Sequence, residues 1–421
     1  MNNRPSFHYT PNKGWINDPN GTIYIDGKYH LFCQYYPDDT VWGPMHWGHA
    51  VSSDLINWEE QDIAIYPDSL GYIFSGSCIL DTDNLSGLGS RENPALLAFY
   101  TSHNPDNGEQ QQSLSYSLDY KHFKSYEANP IIKNKLSDSD YKIDFRDPKV
   151  FKNPYLGGYS MILTAGRIME FYHSNNLLNW KKTGEFDPSV NGFAGIVECP
   201  DCIQMDDDNW IVTLSIILDE DKIGTSLKDK EYINQRVMQY FIGRFDGYCF
   251  TDSLKNDEPL ILDYGTDNYA LVSFANLDEK IFIGWGENWD YVRDLPCKEY
   301  KGKMTLARSA SLIDTPYGKR LSFKPILDLE NKAYMDNIQK ITVANNTTVT
   351  FDNFKISVNK DSIYLHRNPE TFPIKINPNK YHNMFAKRTL SSDTATFTII
   401  KDANYYEIFA DEGTIVFSVN S

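Results

Sequence analysis

Between residues 15 and 320 the chain is a succession of short runs rich in Tyr, Phe, Ile and Val, separated by Gly, Asp, Asn and Pro. Runs at 21–25, 29–36, 96–101, 159–165 and 210–217 read as strands closed by turns. The 3.6-residue period of long amphipathic helices is nearly absent. Past residue 323 the pattern changes. Residues 325–337 read as a linker, and 338–421 alternate strongly between apolar and polar in the runs 341–351, 355–365, 396–400, 405–409 and 414–419. The chain is therefore expected to be all-β.

Two series of short motifs are spread along the first three-quarters of the chain. In one, an Asp or Asn is followed four residues on by an aromatic: Asp54/Trp58, Asp119/Phe123, Asn176/Trp180 and Asp246/Phe250. The other consists of Asp18, Ser75, Asp147, Glu198 and Asp267 and interleaves with the first. A unit of roughly 60 residues with several short strands fits a four-stranded propeller blade. Five units predict a five-bladed β-propeller over 1–324, the linker 325–337, and a small β-sandwich over 338–421 that covers apolar propeller surface.

Two carboxylates stand directly before prolines and a third stands one residue further back: Asp18 in Trp15-Ile16-Asn17-Asp18-Pro19-Asn20-Gly21, Asp147 in Phe145-Arg146-Asp147-Pro148, and Glu198 in Glu198-Cys199-Pro200. Proline drives the preceding residue towards extended backbone, so Asp18 is expected to open a strand. A propeller sends the innermost strand of every blade to one axis, where these three side chains could meet. Glycoside hydrolysis needs two carboxyl groups, one ionised and one carrying a proton. Asp18, flanked by amides and a turn, suits the ionised nucleophile. Glu198, with longer reach, suits the acid/base. Asp147 should stay ionised through Arg146 and bind sugar hydroxyls.

Composition narrows the partners. The 421 residues carry a net charge of −17, which disfavours nucleic acid and anionic membranes and makes a neutral substrate the simplest fit; with the carboxylate pair, that partner is expected to be a small-molecule saccharide. No run approaches the roughly 20 apolar residues of a membrane-spanning helix. Six cysteines in so long a chain, with Cys199 and Cys202 an isolated C-x-x-C, and no apolar run at Met1–Pro5 fit a cytoplasmic protein without a disulfide scaffold. No cofactor is called for. The Asp206-Asp207-Asp208 run lacks the spaced ligands of a calcium loop and reads as a solvated turn, so no metal is expected.

These motifs resemble glycoside hydrolase family 32, the invertase and levanase group. The resemblance extends to Phe32–Pro37, Trp42–His49, Phe74–Ser77, Gly265–Ala270, Gly284-Trp285, Ala307-Arg308 and the Glu407–Gly413 region, and so spans nearly the whole chain. It implies a five-bladed propeller plus sandwich and retaining, exo-acting hydrolysis of β-fructofuranosides through a covalent intermediate. Asp18 would be the nucleophile, Glu198 the acid/base and Asp147 the transition-state stabiliser. Asn17, Gln34, Trp42, Phe74, Ser75, Arg146 and Trp285 would line the fructosyl pocket. Cys33 and Val197 stand where the family more often has aromatic residues, and the C-terminal unit is short. Segments 105–112 and 219–234 are expected to shape the rim. Sucrose 6-phosphate as substrate, an inverting arabinanase-like mechanism and a non-catalytic sugar-binding propeller are the alternatives.

Overall fold

The computed structural model describes residues 4–134, 144–190, 193–219, 236–253, 259–376 and 381–421. Five sheets form the first part, antiparallel except where Tyr300–Lys301 pairs in parallel with Gly14 and Trp15. Their innermost strands are Gly14–Ile25, Tyr72–Asp81, Phe145–Lys152, Gly195–Gln204 and Tyr269–Ser273. Each packs against the innermost strand of the next sheet, and the fifth returns to the first, which closes a five-bladed ring around one axis. The seam between first and last blades is stitched by a parallel bridge from Ile23 to Ala275 and by Thr22 Oγ1 donating to Ser273 O at 2.7 Å.

Blades are buried on both faces, which is why their strands read as continuous apolar runs. In Ala95–His103, Leu96, Ala98 and Tyr100 pack towards the first blade with Ile23, Phe32 and Trp47. The alternate residues Ala95, Leu97 and Phe99 pack towards the third with Val150, Met161 and Leu163. The strand period of two thus sends successive side chains into two different cores.

The Asp/Asn–aromatic series is a structural repeat. Asp54, Asp119, Asn176 and Asp246 each accept a hydrogen bond through Oδ1 from the backbone N–H two residues on, at 2.8–3.2 Å. The residue after each one (Leu55, Tyr120, Leu177, Gly247) has positive φ. These Asx turns connect the third strand of a blade to its outermost strand in four blades. Asp206 closes a similar turn of its own, accepting from the Asp208 and Asn209 backbone N–H groups.

Residues 338–421 form two further sheets, ordered Ile338–Ala344, Thr394–Asp402, Tyr405–Ala410, Ile415–Asn420 and Thr347–Thr350, Phe354–Val358, Ser362–Arg367, Asn383–Lys387. Their facing sides bury Phe354, Ile363, Phe397, Ile408 and Phe417. The sandwich does more than cover apolar surface. Ile400, Phe409 and Val416 do join the propeller core, but a buried polar network runs through the junction. Arg308, with no exposed surface, pairs with Asp263 and Glu407 at 2.9 Å each and donates to Ser418 Oγ at 2.7 Å. Asp402 accepts from the backbone N–H groups of Ser6, Phe7 and His8, tying the N-terminal segment to the sandwich. Asp267, the last member of the series begun by Asp18, lies in this junction, bound to Arg367, Tyr291 and Asn420.

Candidate active site

All five innermost strands carry a β-bulge near their start. In each, two residues face one residue of the neighbouring strand: Asn17-Asp18 against Gln34, Phe74-Ser75 against Thr101, Asp147-Pro148 against Leu163, Cys199-Pro200 against Leu214, and Ala270-Leu271 against Gly284. A bulge bends the strand and re-aims side chains. Asp147, Cys199 and Ala270 adopt positive φ of 63°, 47° and 54°, strained backbone that surrounding packing must hold. The extended conformation expected before proline fails at Asp147 and Cys199 for this reason. Asp18 likewise sits inside its strand rather than opening it. In the second blade the turn needs Gly76: a Cβ there would lie 1.9 Å from the Phe99 carbonyl oxygen.

Equivalent positions on adjacent blades meet. The second bulge residues of blades one and two are Asp18 and Ser75, and Ser75 Oγ donates to Asp18 Oδ2 at 2.8 Å. The first bulge residues of blades three and four are Asp147 and Cys199; the Cys199 N–H donates to Asp147 Oδ2 at 2.9 Å. The residues just before the bulge in blades three, four and five are Arg146, Glu198 and Tyr269. Arg146 Nη2 donates to Glu198 Oε1 at 3.0 Å, and Tyr269 OH donates to Glu198 Oε2 at 2.6 Å. The Cys199 thiol lies between the aspartates, 3.5 Å from Asp18 Oδ2 and 3.6 Å from Asp147 Oδ2. Asp18, Asp147 and Glu198 are thereby gathered at one end of the axis.

The carboxyls differ in environment. Burial, then the negative charge of Glu198, pushes Asp18 above the ordinary aspartate range, while donors from Ser75, Asn17 and Cys199 pull it back. Asp18 Oδ1 has no hydrogen-bond partner, leaving one oxygen uncommitted. Burial pushes Asp147 up to about 7, against the opposing pull of Arg146. The expectation that Arg146 alone keeps Asp147 ionised is therefore corrected: desolvation outweighs that cation, which Asp147 shares with Asp144 and Glu198. The Glu198 side chain is 20% exposed against 5% for Asp147, so of these two it is the one open to solvent.

The remaining expected pocket residues fall into three groups. Asn17, Ser75 and Arg146 join the carboxylate cluster directly, Asn17 also accepting from Trp15 Nε1 at 2.9 Å. Trp42 and Phe74 form a half-buried aromatic wall, edge to face at 6.0 Å, and Phe74 stacks on His103 at 4.3 Å. Gln34 is buried opposite the first bulge and donates to the Ile73 carbonyl at 2.9 Å. Trp285 is corrected: it has no exposed surface and lies beneath the half-buried Trp289, ring centroids 4.8 Å apart, so it supports the pocket without facing it.

The motif reading missed Tyr269, the Cys199 thiol, Gln110, Thr101, Trp289 and Arg236. Gln110 Oε1 accepts from Arg146 Nη1 at 3.3 Å, which brings the end of the 105–112 rim segment into the site. Thr101, opposite the second bulge, accepts the Asp147 N–H at 3.0 Å. Residues 220–234 of the other expected rim segment lie outside the described residues. Tyr269 was findable, since it lies within the Gly265–Ala270 segment. Nothing near Trp289 or Arg236 marks them out.

Two carboxyls beside a third at the mouth of a propeller are the equipment of glycosidic-bond chemistry. The family comparison agrees: residues 8–325 match the glycosyl hydrolases family 32 N-terminal domain, and the chain belongs to that family. It is 37% identical over 338 residues to a levanase of Bacillus subtilis (strain 168), covering 78% of this chain and 47% of the levanase. It is 35% identical over 377 residues to invertase 2 of Saccharomyces cerevisiae (strain ATCC 204508 / S288c), covering 82% of this chain and 65% of the invertase. The chain thus spans about half the length of that levanase. The crystal structure of exo-inulinase from Aspergillus awamori superposes with a TM-score of 0.85 at 26% identity, covering 100% of this chain and 93% of the inulinase.

Proposed function

We propose that the protein is a retaining exo-β-fructosidase that releases terminal β-fructofuranosyl units from sucrose or fructo-oligosaccharides. The observation that carries this reading is the convergence of Asp18 and Glu198 at one mouth with different surroundings. Asp18 is recessed, with one free oxygen. Glu198 is open to solvent and held by donors on both of its oxygens.

In this reading Asp18 attacks the anomeric carbon of the fructosyl unit while Glu198 gives its proton to the departing glycosidic oxygen. A fructosyl ester on Asp18 results. Glu198, now ionised, takes a proton from water; the water oxygen bonds to the anomeric carbon and Asp18 leaves as carboxylate. A ketofuranose anomeric carbon bears no hydrogen, so attack is crowded and the transition state carries much positive charge. The Asp18 carboxylate faces that charge inside a recess where electrostatic stabilisation is stronger than in water. Asp147 and Arg146 are placed to bind fructosyl hydroxyls. The names of the relatives, a levanase, an invertase and an exo-inulinase, support a terminal fructoside as the shared substrate element. Six cysteines without a disulfide support a reducing, cytoplasmic setting.

The test is the product profile on sucrose, 1-kestose, inulin, levan and sucrose 6-phosphate, together with Asp18→Asn and Glu198→Gln. Fructose should be released from chain ends, with the anomeric configuration retained in products trapped by methanol. Both variants should lose activity by orders of magnitude while staying folded; near-normal turnover in both would sink the reading.

A further inference from the structure

Glu198 is reached by a chain of contacts that starts in the sandwich. Tyr381, which precedes the strand Asn383–Lys387, donates through its hydroxyl to Asp290 Oδ2 at 2.6 Å. Asp290 belongs to the propeller, in the loop after the second strand of blade five, and its Oδ1 lies 3.5 Å from Arg236 Nε. Arg236 opens the third strand of blade four, and its Nη1 lies 3.9 Å from Glu198 Oε2. One guanidinium is thus shared by two carboxylates, one of them gripped by the other domain. Tyr381 is itself well anchored. Its ring stands edge-on to Tyr291 at 5.3 Å, and its carbonyl accepts from the buried Arg367, which also pairs with Asp267.

We propose that Asp290 and Tyr381 are positioning residues for the acid/base Glu198, acting through Arg236. The proposal rests on the fructosidase reading, in which Glu198 must deliver a proton to the leaving group. A cation beside a carboxyl favours its ionised form, and a carboxylate competing for that cation weakens the effect. Asp290 is such a competitor, and the Tyr381 hydroxyl satisfies part of its charge. The sandwich therefore bears on how the Arg236 cation is divided between Asp290 and Glu198. Among the described residues, the other charged or titratable groups around Glu198 are Arg146 and Asp147 from blade three, Asp18 from blade one, Tyr269 from blade five and its neighbour Cys199. Arg236 also bonds Tyr269, which in turn donates to Glu198.

The experiment is the pH dependence of kcat/KM for the full chain, on the fructoside that the wild type cleaves fastest, with thermal midpoints measured alongside. The alkaline limb reports loss of the proton from the acid/base. Asp290→Asn removes the carboxylate that competes with Glu198 for Arg236 and should move that limb down by about 0.5 pH unit or more. Arg236→Gln removes the cation and should move it up. Tyr381→Phe keeps the packed ring but leaves Asp290 leaning harder on Arg236, and should move the limb up by less. In the Asp290→Asn background Tyr381→Phe should add nothing, because its effect passes through the carboxylate. If Asp290→Asn does not fold, the upward shifts in Arg236→Gln and Tyr381→Phe carry the test.

A purely structural role would lower kcat with the limb fixed. Limbs that stay put, shifts of the same sign in Asp290→Asn and Arg236→Gln, or a Tyr381→Phe shift that persists beside Asn at 290 overturn the proposal while the fructosidase reading stands. A wild type that releases no fructose from any of the substrates overturns that reading, and the proposal with it.

Discussion

Replacing Ser75 by alanine tests how the nucleophile is tuned. The Ser75 hydroxyl donates to Asp18 Oδ2 at 2.8 Å, and the residue is buried. Burial and the Glu198 charge raise the pH at which Asp18 ionises; Ser75 opposes them. A hydrogen bond to a charged group contributes about 1.5–3 kcal/mol, and one pH unit corresponds to about 1.4 kcal/mol. Loss of the hydroxyl therefore has an upper bound of about 1–2 units. The Cys199 thiol, 3.5 Å from the same oxygen, takes over part of the role, which brings the expected shift to about 1 unit. The sign follows from which form the donor favours. Ser75 stabilises the carboxylate, so its removal makes Asp18 hold its proton to higher pH, and the acid limb of kcat/KM moves up. Fructose release should be measured between pH 3.5 and 8 for wild type and Ser75→Ala under identical buffer and salt. Well above the limb the variant should lose about tenfold or less; between the two limbs the loss should deepen by a further factor of about ten, and below both it should stay constant because the two enzymes then fall in parallel. An acid limb that does not move, or one that moves down, would refute the assignment of Asp18 as the group whose ionisation starts the reaction.

Other outcomes follow from the same geometry. Asp147 holds its proton to about pH 7 in the folded chain, far above an ordinary aspartate, so protonation stabilises the fold; that stability is present at low pH and lost as pH rises through about 7. Asp147→Asn should therefore raise the thermal midpoint at pH 8 more than at pH 5 while removing most activity, and calorimetry showing a lower midpoint at pH 8 would contradict this. Arg308→Met leaves Asp263 and Glu407 buried without their cation and should cost about 3–5 kcal/mol in urea unfolding; a loss below about 1 kcal/mol would show that the domain junction does not depend on that pair. Trp289→Ala should raise KM with little change in midpoint, whereas Trp285→Ala, emptying a fully buried site, should cost about 3–5 kcal/mol of stability; the reverse pattern would put Trp285, and not Trp289, at the sugar.

Some features of this chain are spelled in neighbouring residues, and others exist only between strands. The Asx turns were legible because each is closed within three residues: Asp54 meets the N–H groups of Ile56 and Asn57 and needs nothing else. The blade count followed from four such turns alternating with the five members of the second series, and the apolar runs were legible because a strand buried on both faces needs no alternation. The phase of the axial markers was not legible. Asp18 is the second residue of its bulge, Asp147 the first of its own, Glu198 the residue before one, and Asp267 lies outside altogether, in the sandwich junction. A bulge is defined by two residues facing one on another strand, so sequence alone placed unlike positions in one series. The same limit explains Asp147. Its partner Arg146 is adjacent in sequence and visible, but the desolvation that outweighs that partner comes from blades folded around it. Trp285 and Trp289 are four residues apart and chemically identical; only the packing of Trp15 and of the loop after the second strand of blade five decides which is covered. The active site is thus assembled from equivalent positions of neighbouring blades, Asp18 with Ser75 and Arg146 with Glu198 and Tyr269. A substitution that shifted one bulge by a residue would turn that blade's contribution away from the axis, because a one-residue slip reverses the face to which every side chain points.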